Sequence, residues 1–209
     1  SNAGNYAINT YSNVYIGYRA AGTNKQGGYN VVIGDQAGYN PVGNQYSGSH
    51  NVFMGYAAGY NTGADKNVFI GSGAGQYTTG SFNTFMGYQA GKGGTTSAPF
   101  SSGEANTTVG YQSLYSFTTG HSNTTMGYRA LYAATTGYEN IAIGSNAMRY
   151  LTTGVWNVSI GINSGPDAMG SRIVAIGELA GRFNKGLGNV HIGYRAGFQV
   201  SGSYNTTIG

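Results

Sequence analysis

The chain has no cysteine in 209 residues, which removes disulfides and thiolate metal ligands from any account of its stability or chemistry. Charge is scarce too. Ten Lys and Arg and six Asp and Glu make up 8% of the chain, about a third of the usual share for soluble domains. The net charge of +4 comes from scattered residues, so no basic cluster suited to nucleic acid forms, and no nucleic-acid partner is expected. No apolar run reaches the roughly 20 residues of a membrane-spanning helix. The six acids (Asp35, Asp65, Glu104, Glu139, Asp167 and Glu178) and the three histidines (His50, His121 and His191) fall at unrelated positions. No two acids stand at a local spacing suited to catalysis or metal binding, so no enzyme, no metal and no cofactor is expected.

What the chain has is glycine and aromatics: 38 Gly, 19 Tyr and 8 Phe. Glycine does not recur every third residue, so collagen is excluded. Disordered chains combine high charge with few aromatics, and this chain shows the reverse, so an ordered protein is expected. Ser1, Asn2 and Ala3 read as the remnant of a purification tag and are set aside. Residues 4–209 show no shift of composition and read as one repeat domain. The last repeat stops at Gly209, which reads as a piece of a longer protein.

One unit organises the chain. Asn51-Val52-Phe53-Met54-Gly55-Tyr56-Ala57-Ala58-Gly59 returns as Asn67–Gly75 and as Asn189–Gly197. Twelve such starts fall at positions 13, 30, 51, 67, 83, 106, 123, 140, 157, 173, 189 and 205. Asn opens eleven of them, and Ile173 the other. Most intervals are 16 or 17 residues. The coil is 16 long where the eighth residue after the start is Gly (Gly59, Gly75, Gly165, Gly181, Gly197). It is 17 long where that residue is Ala21, Leu114, Leu131 or Met148. A short fixed period is the mark of a solenoid, and the Gly, Thr, Val, Ile and Tyr content favours strands over helices. The expected fold is all-β: a β-solenoid of about 11 coils of 16–17 residues, with two short strands per coil.

Strand side chains alternate in direction. The residue after the start is Val, Thr or Ile in every unit, and the third is Ile, Met or Val. These two are expected to face inward, with Val52, Met54, Val68 and Ile70 in the core, so that Met54→Asp would abolish folding. The residue between them varies from Phe53 to His191 and is expected to face outward, toward solvent or a partner chain. A Gly follows the third position in all twelve units, and a second precedes the next start by three residues in ten of eleven intervals. Both read as corners. The starting Asn is expected to stack on its neighbours in an amide ladder.

Two insertions interrupt the period, at about 39–50 and 92–105, and loops on a regular scaffold often carry function. Tyr39, Tyr46, His50, Lys92 and Phe100 combine aromatic and cationic groups suited to sugars or acidic partners, and they are the candidate binding residues. A Tyr after the invariant Gly (Tyr18, Tyr56, Tyr88, Tyr111, Tyr128, Tyr194) is expected to form an exposed aromatic column. Thr pairs at 78–79, 118–119, 135–136 and 152–153 suggest a hydroxyl array, and ice binding is a less favoured reading.

The Asn-x-x-Ile-Gly-x-x-Ala unit resembles the head repeats of trimeric autotransporter adhesins, the Hep/Hag-type repeat. The longer units at 106–120 and 123–137 are similar to repeats of phage tail fibres and bacterial surface proteins that end in an endosialidase-type chaperone. The resemblance implies a left-handed parallel β-roll, three chains side by side and display on the outer surface of a bacterium, or alternatively in a virion tail fibre. The expected role is a non-enzymatic head or shaft segment of a trimeric fibre that attaches to host cells, matrix or glycans. Its partners would be itself, as a homotrimer, and a host surface protein or glycan. Membrane attachment would come only through domains outside these residues.

Overall fold

The computed structural model describes residue 3 and residues 11–22, 27–41, 48–94 and 100–209. Twelve three-residue strands follow one another: β1 (Val14–Ile16), β2 (Val31–Ile33), β3 (Val52–Met54), β4 (Val68–Ile70), β5 (Thr84–Met86), β6 (Thr107–Val109), β7 (Thr124–Met126), β8 (Ile141–Ile143), β9 (Val158–Ile160), β10 (Val174–Ile176), β11 (Val190–Ile192) and β12 (Thr206–Ile208). They form one parallel sheet whose spatial order is the sequence order. The chain is therefore an all-β solenoid of about eleven turns. Equivalent residues pair throughout, as in Val52↔Val68, Phe53↔Phe69 and Met54↔Ile70. The register passes both insertions unchanged, with Val31↔Val52 before one strand step and Thr84↔Thr107 before another.

Each strand ends at its invariant glycine. These residues have φ near +130°, from Gly17 to Gly209, a region that side chains other than hydrogen avoid. A Cβ there would also run into the backbone of the equivalent glycine one coil on. Among the described residues each coil carries one strand, where two were expected. The return path still bonds from coil to coil, as in Ala21 N–H to Ala37 O at 2.8 Å and Leu131 N–H to Ala147 O at 2.8 Å. However, it turns at left-handed residues such as Arg129 (φ 51°) and Leu131 (φ 51°), so extended pairing is reduced to three isolated bridges among the described residues.

The faces of the strand are the reverse of the sequence expectation. The middle residue is buried in β2 through β11, and the flanking two are half-buried or exposed. Phe53, Phe69 and Phe85 are fully buried, whereas Met54 is 38% exposed. Alternation fixes that neighbours point opposite ways, but a shift of one residue exchanges the faces. Met54→Asp therefore puts a carboxylate on the outer surface and leaves the core intact.

The interior is filled by a trade between two positions. Phe53, Phe69 and Phe85 stack on one another at 5.1 and 4.9 Å, and their coils carry Gly59, Gly75 and Gly91 at the eighth position. A Cβ at Gly75 would enter the Phe69 ring, and one at Gly91 the Phe85 ring. In the next three coils the strand residue is small (Thr108, Thr125, Ala142), and the eighth position supplies the bulk through Leu114, Leu131 and Met148, all fully or almost fully buried. The small seventh residue lies between them, and Ala58, Ala74, Ala90, Ala130 and Ala147 have no exposed surface.

The starting asparagines are buried and carry the expected ladder. The Asn51 N–H donates to Asn30 Oδ1 at 2.9 Å, Asn67 N–H to Asn51 Oδ1 at 2.9 Å, and so on without a break to Ile173 N–H on Asn157 Oδ1 at 3.0 Å. The Nδ2, that of Asn67 excepted, donates to the corner that precedes the next start, as in Asn51 to Ala64 O and Asn140 to Gly154 O, both 2.9 Å.

The volume trade has a measurable consequence. Phe69→Ala is expected to cost about 3–5 kcal/mol through the cavity it leaves, and Gly75→Ala about 1–3 kcal/mol through the clash with the ring. The double variant should cost at least about 1 kcal/mol less than the sum, because the clashing ring is gone. Urea unfolding of the four chains measures the coupling, and additive costs would show that the two positions do not share one volume.

Candidate functional site

In-register stacking brings equivalent side chains of successive coils within about 5 Å of one another. Planar side chains at one position therefore stack into columns. The principal column lies just past the left-handed turn at the eighth residue. The Arg19 guanidinium sits 5.4 Å from the Tyr39 ring, Tyr39 lies 5.8 Å from Tyr60, and Lys92 Nζ stands 5.7 Å from Tyr77 and 5.2 Å from Tyr115. Tyr115 stacks on Tyr132 at 5.1 Å, and Arg129 caps Tyr132 at 5.4 Å. Lys92 Nζ also donates to the Tyr115 hydroxyl at 3.1 Å. Burial pushes the Tyr60 phenol above its usual value of 10.0; the phenols of Tyr39, Tyr77 and Tyr56 add to this, and Arg19 acts against it. The hydroxyl thus stays protonated and can donate a hydrogen bond.

A second column is the expected Tyr row, in part. Tyr88, Tyr111 and Tyr128 stack at 5.2 and 5.3 Å, and Ser72 and Ser145 interrupt the row on either side. A polar rail runs beside it: Gln112 Nε2 donates to Gln89 Oε1 at 2.9 Å, and Arg129 Nε donates to Gln112 Oε1 at 3.0 Å. Arg129 lies over both Tyr128 and Tyr132 and so ties the two columns together. Internal rings spend their faces on each other. They offer a ligand edges, hydroxyls and the interleaved cations, each worth about 0.5–2 kcal/mol against an aromatic face.

Three of the five candidate binding residues lie on the first column. Tyr39 packs against Tyr60 and Arg19, Lys92 lies between Tyr77 and Tyr115, and Phe100 stacks on Tyr77 at 6.1 Å. His50 lies elsewhere, on the corner before the strand, stacked 4.9 Å from Tyr29. Tyr46 lies outside the described residues. The Thr pairs divide their work. Thr118, Thr135 and Thr152 Oγ1 donate to carbonyls of the following coil at 3.1, 3.3 and 2.9 Å. Their neighbours Thr119, Thr136 and Thr153 are exposed on three consecutive coils.

Sequence reasoning missed two groups. One is the corner that carries His121, Tyr138 and Trp156, whose residue types differ from coil to coil and so show no periodic signal. The other is His191, expected outside and found fully buried. Its Nε2 faces Asn184 Nδ2 at 2.6 Å, and its Nδ1 faces Thr207 Oγ1 at 2.7 Å. Asn184 Oδ1 accepts from Gly186 N–H and Asn189 Nδ2, so Nδ2 is its donor and His191 Nε2 must accept. This cluster sits where Ile173 interrupts the Asn ladder, and Asn184 supplies the missing amide. Among the described residues, no three His, Asp or Glu stand close enough together to hold a metal ion, and no helix is long and apolar enough to cross a membrane.

No family model matches the chain, and no curated protein or solved structure matches it.

Burial holds the His191 pKa below its ordinary 6.5. The unfolded chain takes up this proton near pH 6.5, and the folded chain only at lower pH. Stability is therefore full above about pH 6.5 and declines as pH falls below it. Thermal melts from about pH 7.5 to about pH 5.5 should show this loss, and His191→Gln should flatten it. An equal slope in both chains would mean that His191 does not titrate in this way.

Proposed function

We propose that this chain is a non-enzymatic segment of a trimeric surface fibre, with three left-handed solenoids side by side and attachment to a host surface protein or glycan through their outer columns. The observation that carries the reading is the outer face of the sheet. On all twelve strands its two columns hold only Val, Ile, Met and Thr, with no charge from Val14 to Ile208. Large residues there are open: Met126 is 52% exposed and Met86 43%. Twelve strands at ~4.8 Å make a stripe roughly 50 Å long, and a contiguous exposed apolar surface of this kind marks an interface. A straight stripe of constant pitch is best matched by a second copy of itself in the same register. A rotationally closed arrangement of copies covers it without leaving an open end laterally.

The mechanism is multivalency. Three copies of the Tyr39–Tyr132 column on one rod raise the effective concentration for individually weak contacts. A bacterial surface adhesin and the shaft of a virion tail fibre are both compatible with this geometry, and the adhesin is the preferred setting. Ice binding is a second reading, favoured by the exposed Thr119, Thr136 and Thr153. The row spans three coils only, and thermal hysteresis of the purified chain tests it.

Sedimentation velocity at micromolar concentration tests the assembly. The expected mass is three chains. Met54→Asp combined with Met86→Lys should give single chains with an unchanged far-ultraviolet spectrum, because both side chains lie outside the core. A wild-type mass of one chain would sink the proposal.

A further inference from the structure

Left-handed residues recur at fixed phases of each coil, Gln36 and Arg129 among them, and the corner before each strand is one of these phases. Its last residue is left-handed in all twelve coils, with φ between 53° and 66° from Ser12 to Tyr204. Only Gly188 among them is glycine. An L-residue in this conformation costs roughly 1–2 kcal/mol, and Gly or Asn would lower the strain. The chain nevertheless places Tyr29, His50, Phe82 and Trp156 there, with Trp156 43% exposed. Trp156 stands at this position, and His121 and Tyr138 stand one residue before it in their own coils, on ordinary backbone.

The best-developed group spans four consecutive coils. His121 stacks on Tyr138 at 4.8 Å with the rings 8° from parallel. Tyr138 meets Trp156 edge-on at 5.7 Å, and the Arg172 guanidinium lies 4.8 Å from the indole. Trp156 Nε1 donates to Glu139 Oε2 at 2.6 Å. The indole is thus held by three neighbours and is pre-organised despite its exposure. On the other side of His121 the column stops, because the preceding coil carries Glu104 and Ala105 in place of rings. The gap is a cleft of about 370 Å³ bordered by Ser102, Glu104, Ala105, Thr119, His121 and Ser122. That volume lies in the range of small-ligand sites.

The chemistry of the lining selects the ligand. Glu104 is the one carboxylate of the lining and no Lys or Arg borders it, so phosphate and sialic acid are repelled. Ser102, Thr119 and Ser122 add hydroxyls, and the carboxylate accepts hydrogen bonds without donating any. The ligand must therefore offer hydroxyl donors at its rim and an apolar face to the rings, which describes a pyranose. We propose that this cleft and the adjoining His121–Tyr138–Trp156 platform bind a neutral oligosaccharide, one sugar in the cleft and its neighbours along the aromatic corner. The inference rests on the reading of the chain as an attachment segment, and it names the ligand class. All the residues belong to one chain, so binding does not depend on assembly.

Trp156 is the sole tryptophan, so fluorescence excited beyond the tyrosine absorption band reads this site alone. The probes are neutral hexasaccharides of glucose, of mannose and of N-acetylglucosamine, with sialyllactose as the charged comparison. At least one neutral probe should give a saturable fluorescence change below about 10 mM, with sialyllactose weaker. Tyr138→Ala and Glu104→Gln should each weaken binding about tenfold at an unchanged melting temperature. The proposal is overturned if no neutral probe saturates, if binding survives both substitutions, or if sialyllactose binds more tightly. Repeating the titration on the Met54→Asp, Met86→Lys chain separates the two ideas. A wild-type chain that binds without assembling refutes only the trimer, a wild-type trimer that does not bind refutes only this site, and loss of binding in the single-chain variant refutes the independence of the two.

Discussion

The constraint on which this structure depends is in-register stacking of identical backbone positions, held by a buried amide. Along the ladder the Asn Oδ1 accepts the N–H of the following start, and the Nδ2, that of Asn67 excepted, donates to the corner before it. Within a low-dielectric interior such bonds matter most through the cost of leaving a partner unmade, about 1–3 kcal/mol for each buried group. The ladder therefore specifies the stacking register as well as stabilising it. At its single interruption, Ile173, Asn184 Oδ1 accepts from Asn189 Nδ2, and Asn184 Nδ2 in turn donates to His191 Nε2.

Once coils are stacked in phase, the interior has a constant small cross-section, and the side chains must share it. Phe at the strand centre forces Gly at the eighth position, and Thr or Ala at the centre permits Leu or Met there. Across β3 through β8 the bulk passes from one position to the other, as close-packed interiors require, whereas the coils of Ser159 and Ala175 are small at both, with Gly165 and Gly181. The content of the core changes along the rod: stacked rings in β3 through β5, aliphatic chains from Leu114 to Leu151, then Ser159, Ser164 and His191 toward the end. That polar stretch divides the apolar interior into two clusters.

Stacking also governs the surface. A residue type repeated at one phase becomes a column, so Tyr88, Tyr111 and Tyr128 stack without any other device, and Lys92 falls between two rings because its coil carries Lys where the next carries Tyr. The apolar columns of the outer sheet face arise in the same way. They give the chain a long uncharged stripe, and the corners beside it carry its most varied side chains. A scaffold of constant pitch with varied corners is suited to the presentation of weak, repeated contacts, which is the function proposed above.

The amino-acid sequence determined the period, the parallel order of the coils, the glycine corners and the asparagine ladder. Units that recur in phase can superpose only by stacking equivalent residues, and Gly17 or Asn51 has one use at such a phase. The tertiary structure alone decided which side of the strand faces in. Val52, Phe53 and Met54 alternate whichever face is buried, and three apolar residues in a row give no sign of direction. Only the bend of the coil, with Gly59 set against the Phe53 ring, places the phenylalanine inside. The one legible sign was the coupling of Phe at the centre with Gly at the eighth position. The corner of His121, Tyr138 and Trp156 was beyond the sequence for a related reason: those residues differ in type and phase from coil to coil, and they become one group only when residues 17 and 18 positions apart are brought ring to ring.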